Sequence, residues 1–237
     1  MKYLDLSLTA AAANLACDEV LLNECESGGP EVLRVWEPRD VSVVVGYANR
    51  VATEVRRERC RAAGIPVLRR LSGGGTVVQM PGVLNYTTVL RAERPEVAGI
   101  PETNAFVLDR VARAVGRMIG KPVIRQGDTD LCLGPRKFSG NAQRRLRRAI
   151  LFHGAILLAA DLDLMDELLR HPSREPAYRG GRGHREFVMN LGGSAAALKA
   201  ALRSVWEASE PPGNAPYAAI DQLMATRYSL DDWNLSR

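Results

Sequence analysis

Three clusters of residues have types and spacings suited to chemistry. The first is Arg69, Arg70, Leu71, Ser72, Gly73, Gly74, Gly75 and Thr76. Three consecutive glycines let the backbone approach a ligand closely and aim successive N–H groups at an anion, with arginine alongside. A phosphate-bearing ligand fits such a loop, and so does a plain hairpin turn. The spacing is neither the G-x-G-x-x-G of a dinucleotide fold nor a P-loop ending in Lys-Ser/Thr. The second cluster, Gly127, Asp128, Thr129, Asp130, lies one hairpin ahead of Arg136, Lys137, Phe138, Ser139, Gly140, Asn141. Lysine is scarce here: only Lys2, Lys121, Lys137 and Lys199 accompany the arginines. A lysine offers a compact, mobile charge that can follow a carboxylate as it becomes a mixed anhydride, whereas arginine favours a fixed two-pronged contact. In the third cluster, His153 and Gly154 interrupt an apolar run, where the imidazole can orient a ligand or serve as a satisfied core group.

Elements must position these clusters. Residues 10–25 carry an apolar stripe beside acidic groups and predict a helix with Thr9 as N-cap, ending at Gly28, Gly29 and Pro30. Residues 32–36 and 41–45 are β-branched runs around Pro38, Arg39 and Asp40, which predicts a hairpin. Strands over 66–70 and 83–90 flank the glycine triplet, and residues 106–119 repeat apolar side chains at helical spacing. Further strands run through 122–159, with a turn at Gly134 and Pro135. Helices are predicted over 161–170, 194–207 and 217–225, and the Arg- and Gly-rich residues 174–185 form a mobile loop. The irregular mixture of strands and helices predicts an α+β fold with a mixed, largely antiparallel sheet flanked by helices.

Composition narrows the class. The 237 residues are 46% hydrophobic and 25% charged, an ordinary globular balance that excludes disorder and collagen-like or coiled-coil repeats. A net charge of +5 suits nucleic acid, an anionic ligand or an acidic partner protein, and at this size discriminates little among them. Arg144, Arg145, Arg147 and Arg148 lack interleaved aromatic residues, so no nucleic-acid partner is expected. Cys17, Cys25, Cys60 and Cys132 form no CxxC pair, which argues against zinc and for a reduced, cytoplasmic chain. The apolar residues near the start are broken by Asp5, Asn14, Asp18 and Glu19, so neither a signal peptide nor a membrane span is read there.

Taken in order, Arg69 to Gly75 with Pro81, Gly82, Val83, Leu84, Asn85, Tyr86 and Thr87, then Asp130 with the stretch from Lys137 to Arg144, then His153 with Gly154, resemble the lipoate-protein ligase A family. Asn14, Leu15, Ala16, Asp18 and Glu19, and the strands between Leu33 and Gly46, extend the likeness over most of the first two thirds of the chain. The resemblance implies the biotin/lipoate ligase catalytic fold. It also implies a two-step reaction in which ATP, with Mg2+, activates lipoate to lipoyl-AMP, and the acyl group passes to a lysine of a lipoyl domain. Acceptors would be lipoyl domains of 2-oxoacid dehydrogenase complexes or the glycine cleavage H protein. Lys137 would be the catalytic charge stabiliser. Arg70, Ser72, Gly73, Gly74, Gly75 and Thr76 would hold the acyl-adenylate, Val77 and Val78 would lie along the adenine, and Asn85 would position the phosphate. Asp130 would handle magnesium or the adenylate beside Ser139 and Gly140, with His153 and Gly154 at the acyl end. Strand alternation suggests Leu71, Val77, Leu84 and Leu157 as the lining of the acyl slot.

The chain departs from that pattern in two places. Val78, Gln79 and Met80 stand where an aromatic-His-Asp group is usual, and Thr129 stands where an asparagine is usual. Residues 1–237 are expected to form one catalytic domain of a short form without the C-terminal accessory domain, with 213–237 as a closing strap. An accessory protein would then supply part of the activation. The competing reading is an octanoyl or lipoyl transferase with a cysteine nucleophile. Such a cysteine precedes the Asp130 region, whereas none occurs between Cys60 and Cys132, and Cys132 reads as a small buried thiol.

Overall fold

The computed structural model describes residues 1–211 and 215–237. The chain runs β1 (Lys2–Asp5), α1 (Ala11–Glu26), β2 (Val32–Trp36), β3 (Ser42–Val45), α2 (Val51–Glu54), α3 (Arg57–Ala62), β4 (Val67–Arg69), β5 (Val77–Gln79) and β6 (Val83–Arg91). It continues through α4 (Ile100–Ile119), β7 (Ile124–Gln126), β8 (Asp130–Leu133), β9 (Arg136–Arg145), β10 (Ala149–Leu157), α5 (Leu162–Leu168), α6 (His184–Phe187), α7 (Ala195–Val205), α8 (Tyr217–Leu223) and α9 (Asp231–Asn234). Seven strands in the order β1-β2-β6-β10-β9-β8-β7 make a large sheet, and β4-β3-β5 make a small one. Within them only β1–β2 and β3–β4 pair parallel. The fold is therefore α+β with a largely antiparallel sheet flanked by helices, as the sequence pattern predicts.

The period-two alternation of β6 and β10 divides the core. Leu84, Tyr86 and Leu90 with Ile150, Phe152 and Ile156 face α4 and α7, while Val89 with Ala149 and Leu151 face α1. α4 repeats Val107, Leu108, Val111, Ala114 and Val115 along one stripe and stops at Gly120, whose φ of 65° terminates the helix in the left-handed region. Leu71 and Leu84 sit in these two cores and not in the acyl slot suggested by alternation. Only Val77 and Leu157 of that set border the cavity described below.

Three expectations need correction. The strands β2 and β3 form no hairpin, because β2 is saturated by β1 and β6 and β3 by β4 and β5, so residues 37–41 carry the chain between sheets. The N-cap of α1 is Ala10, not Thr9, and it makes no side-chain cap bond. Instead the Asn14 side chain folds back, accepting from the Leu8 N–H at 3.0 Å and donating to the Leu8 and Ala10 carbonyls. Residues 174–185 are not structureless: a 3-10 turn at Ala177–Arg179 leads into α6, and Tyr178 packs on Phe187 with ring centroids 5.2 Å apart. The expected strap begins in part outside the described residues, at 213 and 214. Its described portion docks firmly, with Arg227 and Tyr228 on Glu19, and with Asn234 Oδ1 accepting from the Arg69 N–H at 3.0 Å.

Candidate functional site

Residue by residue, the site is built on the α1 face of the large sheet. Arg70, buried and free of carboxylate partners, shapes the glycine loop from beneath: Nε donates to Ser72 Oγ at 3.1 Å, and Nη2 donates to the Gly73 and Gly75 carbonyls at 2.6 and 2.7 Å. Burial lowers its pKa to about 10. Gly74 adopts φ +82°, and the loop lies so close to β3 that a Cβ on Gly46 would overlap the Gly74 carbonyl. Arg69 gathers the other side, donating from Nη1 to the carbonyls of Gly46, Tyr47 and Asn49.

Ser72 points inward. Its Oγ lies 2.6 Å from His153 Nε2, whose Nδ1 lies 3.3 Å from Asp18 Oδ2, and Asp18 Oδ1 accepts from Arg34 Nη1 at 2.6 Å. Burial alone would raise the Asp18 pKa, but Arg34, His153 and Thr87 outweigh it and hold the carboxyl below its ordinary value. His153 is thus tied to the loop and to α1. Asn85 is equally committed, exchanging two 2.8 Å hydrogen bonds with Gln79. At Gly154 a Cβ would overlap Asn141 Oδ1 and come within 2.7 Å of Tyr86, so the glycine makes room for the Tyr86–Asn141 hydrogen bond.

Lys137 reaches the site through an irregularity. Asp130 pairs with Gly140 and Leu131 with Ser139, but Cys132 pairs with Lys137, leaving Phe138 as an extra residue in β9. Regular alternation would put Lys137 with Ser139 and Asn141 on the α4 face. The bulge re-aims it to the face of Asp130 and Gly140, where Nζ sits 2.8 Å from Asp130 Oδ1. Tyr178 donates to the other oxygen, Oδ2, at 2.7 Å. The Tyr178 pKa is raised by burial first, then by its contacts with Cys132 and Asp130.

These groups border a cavity of about 670 Å³. Gly74, Gly75, Thr76, Val77, Val78, Asp130, Lys137, Ser139 and Gly140 line it, as does the small-residue turn from Gly127 to Thr129. Ala155, Leu157, Met165 and Leu169 supply apolar wall. Arg70, Ser72, Gly73, Asn85, His153 and Gly154 do not line it; they brace the groups that do. Sequence reasoning missed Arg179, His184 and Phe187 on the far wall, Glu54, which accepts from Ser173, and Tyr178, which braces Asp130 from behind that wall. The arginine-rich composition of 174–185 was the sole signal for that wall. Burial lowers the His184 pKa, and Arg179 adds to this against the opposing pull of Asp166 at 3.0 Å.

An apolar slot that ends at a lysine, a carboxylate and a loop of backbone donors suits an amphipathic carboxylic acid together with a phosphate ester. Magnesium has no protein cage here. Both Asp130 oxygens are engaged, and the described residues hold no group of three metal-ligating side chains.

Residues 10–199 match the family described as "Lipoyl protein ligase A/B catalytic domain". The chain belongs to this family. A curated relative, octanoyltransferase LipM of Brevibacillus brevis, is 31% identical over 121 residues, covering 46% of this chain and 44% of the relative, so this chain spans less than half of its length. A lipoate-protein ligase A solved with bound ATP superimposes with a TM-score of 0.85 at 23% identity, covering 99% of this chain and 98% of that one. A bi-partite lipoate protein ligase from Thermoplasma acidophilum, described with its E2 lipoyl domain, gives 0.83 at 24%, covering 99% and 95%. These two solved structures share the α+β fold found here, and among the described residues no helix is long and apolar enough to cross a membrane.

Proposed function

We propose that this chain is a lipoate-protein ligase, activating lipoate with ATP and transferring the acyl group to a lysine of a lipoyl domain. The observation that carries this reading is the Lys137–Asp130 pair aimed into a cavity whose wall, among the described residues, includes no cysteine. Acyl activation of this kind needs crowded negative charge neutralised and reactants aligned, not a covalent nucleophile. The carboxylate oxygen attacks the α-phosphorus of ATP, the bond to the bridging oxygen breaks, and pyrophosphate leaves with the electron pair. The acceptor lysine amine then attacks the mixed anhydride carbonyl and AMP departs.

Each residue has a role in that scheme. The Gly74–Gly75 backbone offers N–H donors to the phosphate, and the Lys137 ammonium, steered by Asp130, which Tyr178 fixes in turn, follows the carboxylate oxygens through both steps. Val77, Val78, Ala155 and Leu157 exclude water along the acyl chain. Asp130 is already engaged by Lys137 and Tyr178, so magnesium would come to the site held by the phosphates of the nucleotide. Acceptors are lipoyl domains of 2-oxoacid dehydrogenase complexes or the glycine cleavage H protein; the variant of this reading is a transfer-only subunit for which an accessory protein carries out the activation.

A second reading, octanoyl transfer without ATP, is favoured by the identity to the B. brevis octanoyltransferase. Against a cysteine nucleophile stands the burial of all four free thiols; Cys132 lies 3.5 Å from the Tyr178 hydroxyl with its pKa raised by burial. The test is intact-mass analysis of an apo lipoyl domain incubated with the protein and one of three donors: lipoate plus ATP and magnesium, synthetic lipoyl-adenylate, or octanoyl acyl carrier protein. A lipoyl increment with ATP is the expected result. An increment from the adenylate alone moves activation to an accessory protein, and one from the octanoyl thioester alone establishes the transferase. Lys137→Ala should lose at least about 100-fold in both half-reactions, about 2.7 kcal/mol of transition-state stabilisation. Asp130 keeps its Tyr178 bond in that variant, so the fold should survive.

A further inference from the structure

The far wall of the cavity carries an imidazole that the reading above leaves idle. His184 opens α6 and Phe187 follows three residues later, so the two side chains share one face of that turn, with Cβ atoms about 5–6 Å apart. Helix α6 is fastened to β9 where Lys137 lies. The Met189 N–H donates to the Lys137 carbonyl at 2.8 Å, and Arg136 Nη2 donates to the carbonyls of Arg185 and Val188 at 3.0 and 2.7 Å. Lys137 Nζ in turn lies 6.0 Å from the Phe187 ring centroid. His184 therefore stands beside the ring that the Lys137 ammonium approaches, and both residues border the same cavity.

The two ring nitrogens of His184 are unlike. Nδ1 lies 3.0 Å from Oδ1 of Asp166, a residue of α5 outside the cavity wall, so Nδ1 carries the proton and donates it to the carboxylate. Nε2 keeps its lone pair. It makes no hydrogen bond among the described residues, yet it is not sealed and stays in contact with solvent. Burial first, then Arg179 and more weakly His171, lower the imidazole pKa against the pull of Asp166, which favours the neutral ring at neutral pH. Among the described residues no other group on the cavity wall combines these properties. Asp130 is held by Lys137 and Tyr178, Glu54 by Ser173, and Glu175 by His171 and the Gly181 N–H. A carboxylate is in any case ordinarily about a hundredfold weaker base than an imidazole.

We propose that His184 is the general base of the acyl-transfer step, taking the proton from the lipoyl-domain lysine as its amine attacks the activated acyl group. The inference rests on the acyl-transfer half of the reading above. The unprotonated amine attacks the carbonyl carbon of the acyl-adenylate, a C–N bond forms, and the nitrogen gives one proton to His184 Nε2. The C–O bond to the phosphate then breaks, AMP leaves with the electron pair, and the imidazolium passes its proton to solvent. A hydrogen bond from Nε2 to the amine, a near-attack distance to the carbonyl and a hydrogen bond from its oxygen to Lys137 together span about 9 Å. That span calls for a base set back from Lys137 on the far wall, as His184 is, and excludes Asp130, which touches the ammonium. Asp166 is a positioning residue: by accepting from Nδ1 it holds the tautomer that leaves Nε2 basic.

The test uses the full chain, an apo lipoyl domain and synthetic lipoyl-adenylate, with single-turnover transfer followed by intact mass across a range of pH. ATP–pyrophosphate exchange with lipoate reports activation separately. At neutral pH, His184→Gln should slow transfer at least about 100-fold and exchange less than threefold, because only transfer takes a proton from an amine, and the surviving exchange shows that the variant is folded. In the parent, the slope of log rate against pH should be greater by one below an inflexion that lies under the ordinary imidazole value of 6.5, and His184→Gln should lack that inflexion. Added imidazole should restore transfer by His184→Ala at least tenfold, which a merely structural histidine would not allow. Asp166→Asn should slow transfer about tenfold and move the inflexion to lower pH, since the pull that favours the imidazolium is gone. Transfer by His184→Gln within threefold of the parent, equal loss of transfer and exchange, or an inflexion that survives the substitution would overturn the assignment. If the parent takes the acyl group from the adenylate without any exchange, the ligase reading fails and the loss of transfer in His184→Gln still decides this inference. If it takes the group only from octanoyl acyl carrier protein, the same comparison is made with that donor. A parent that modifies the lipoyl domain from no donor overturns both.

Discussion

Replacing Arg34 by methionine tests whether the braced core behind the glycine loop is organised by charge. Arg34 is fully buried on β2 and makes five hydrogen bonds: two to the Leu6 carbonyl, one each to the carbonyl and side chain of Asn14, and one to Asp18. Methionine fills much of the stem volume but leaves the Asp18 carboxylate, itself 2% exposed, without its cation. Breaking a buried pair by removing one partner costs about 3–5 kcal/mol. For a chain of this size each kcal/mol moves the melting temperature by about 2–4 °C, so a fall of about 6–20 °C is expected.

The pH dependence gives the sharper signature. In the parent, Asp18 is held below its ordinary value of 3.8, so its contribution is present above about pH 4 and is lost as pH falls through the lower folded value. In Arg34→Met the burial that Arg34 had outweighed becomes dominant and the folded pKa rises above the ordinary value. The carboxyl then destabilises the fold at high pH, and the penalty is relieved as pH falls. The melting temperature followed by circular dichroism should therefore rise in the variant from about pH 8 to about pH 5 while the parent stays level. Adding Asp18→Asn should abolish that slope and recover part of the lost stability. A variant melting within about 2 °C of the parent, or one that declines on acidification, refutes the reasoning.

Two further outcomes follow from the same geometry. Gly154→Ala should cost about 1–3 kcal/mol, because its Cβ overlaps Asn141 Oδ1 and crowds Tyr86, and it should lower lipoyl transfer as well, since Asn141 Nδ2 holds the Thr129 carbonyl beside Asp130. A variant with unchanged melting and turnover would show that the strand yields freely there. Cys132→Ser should stay within about twofold of the parent in lipoyl-domain modification, because the thiol faces Tyr178 and its ionised form is disfavoured by burial. Loss of turnover with a normal melt would restore the transferase reading.

Several features were readable from residue order alone. The apolar repeat of α4, the glycine triplet between strands, the turn at Gly134 and the scarcity of lysine around Lys137 are local patterns, and local patterns survive in one dimension. The α+β class followed from the irregular mixing of strands and helices. The family likeness followed from four short motifs in order, and the match over residues 10–199 agrees with it.

What alternation could not supply was direction. Period-two reasoning assigns Lys137 to the same face as Ser139 and Asn141, and the extra residue Phe138 reverses it, because a β-bulge is a property of two strands in register and not of either alone. Partners distant in sequence were equally hidden. His153 finds Ser72 and Asp18 across 81 and 135 residues, and Asp130 finds Tyr178 across 48. The hairpin expected between β2 and β3 failed for the same reason, since each strand was claimed by two neighbours from elsewhere in the chain. Sequence determined which chemical groups the protein owns and which short elements carry them. Tertiary structure decided which way those groups face and which of them meet, because burial and strand register are settled by the whole chain at once.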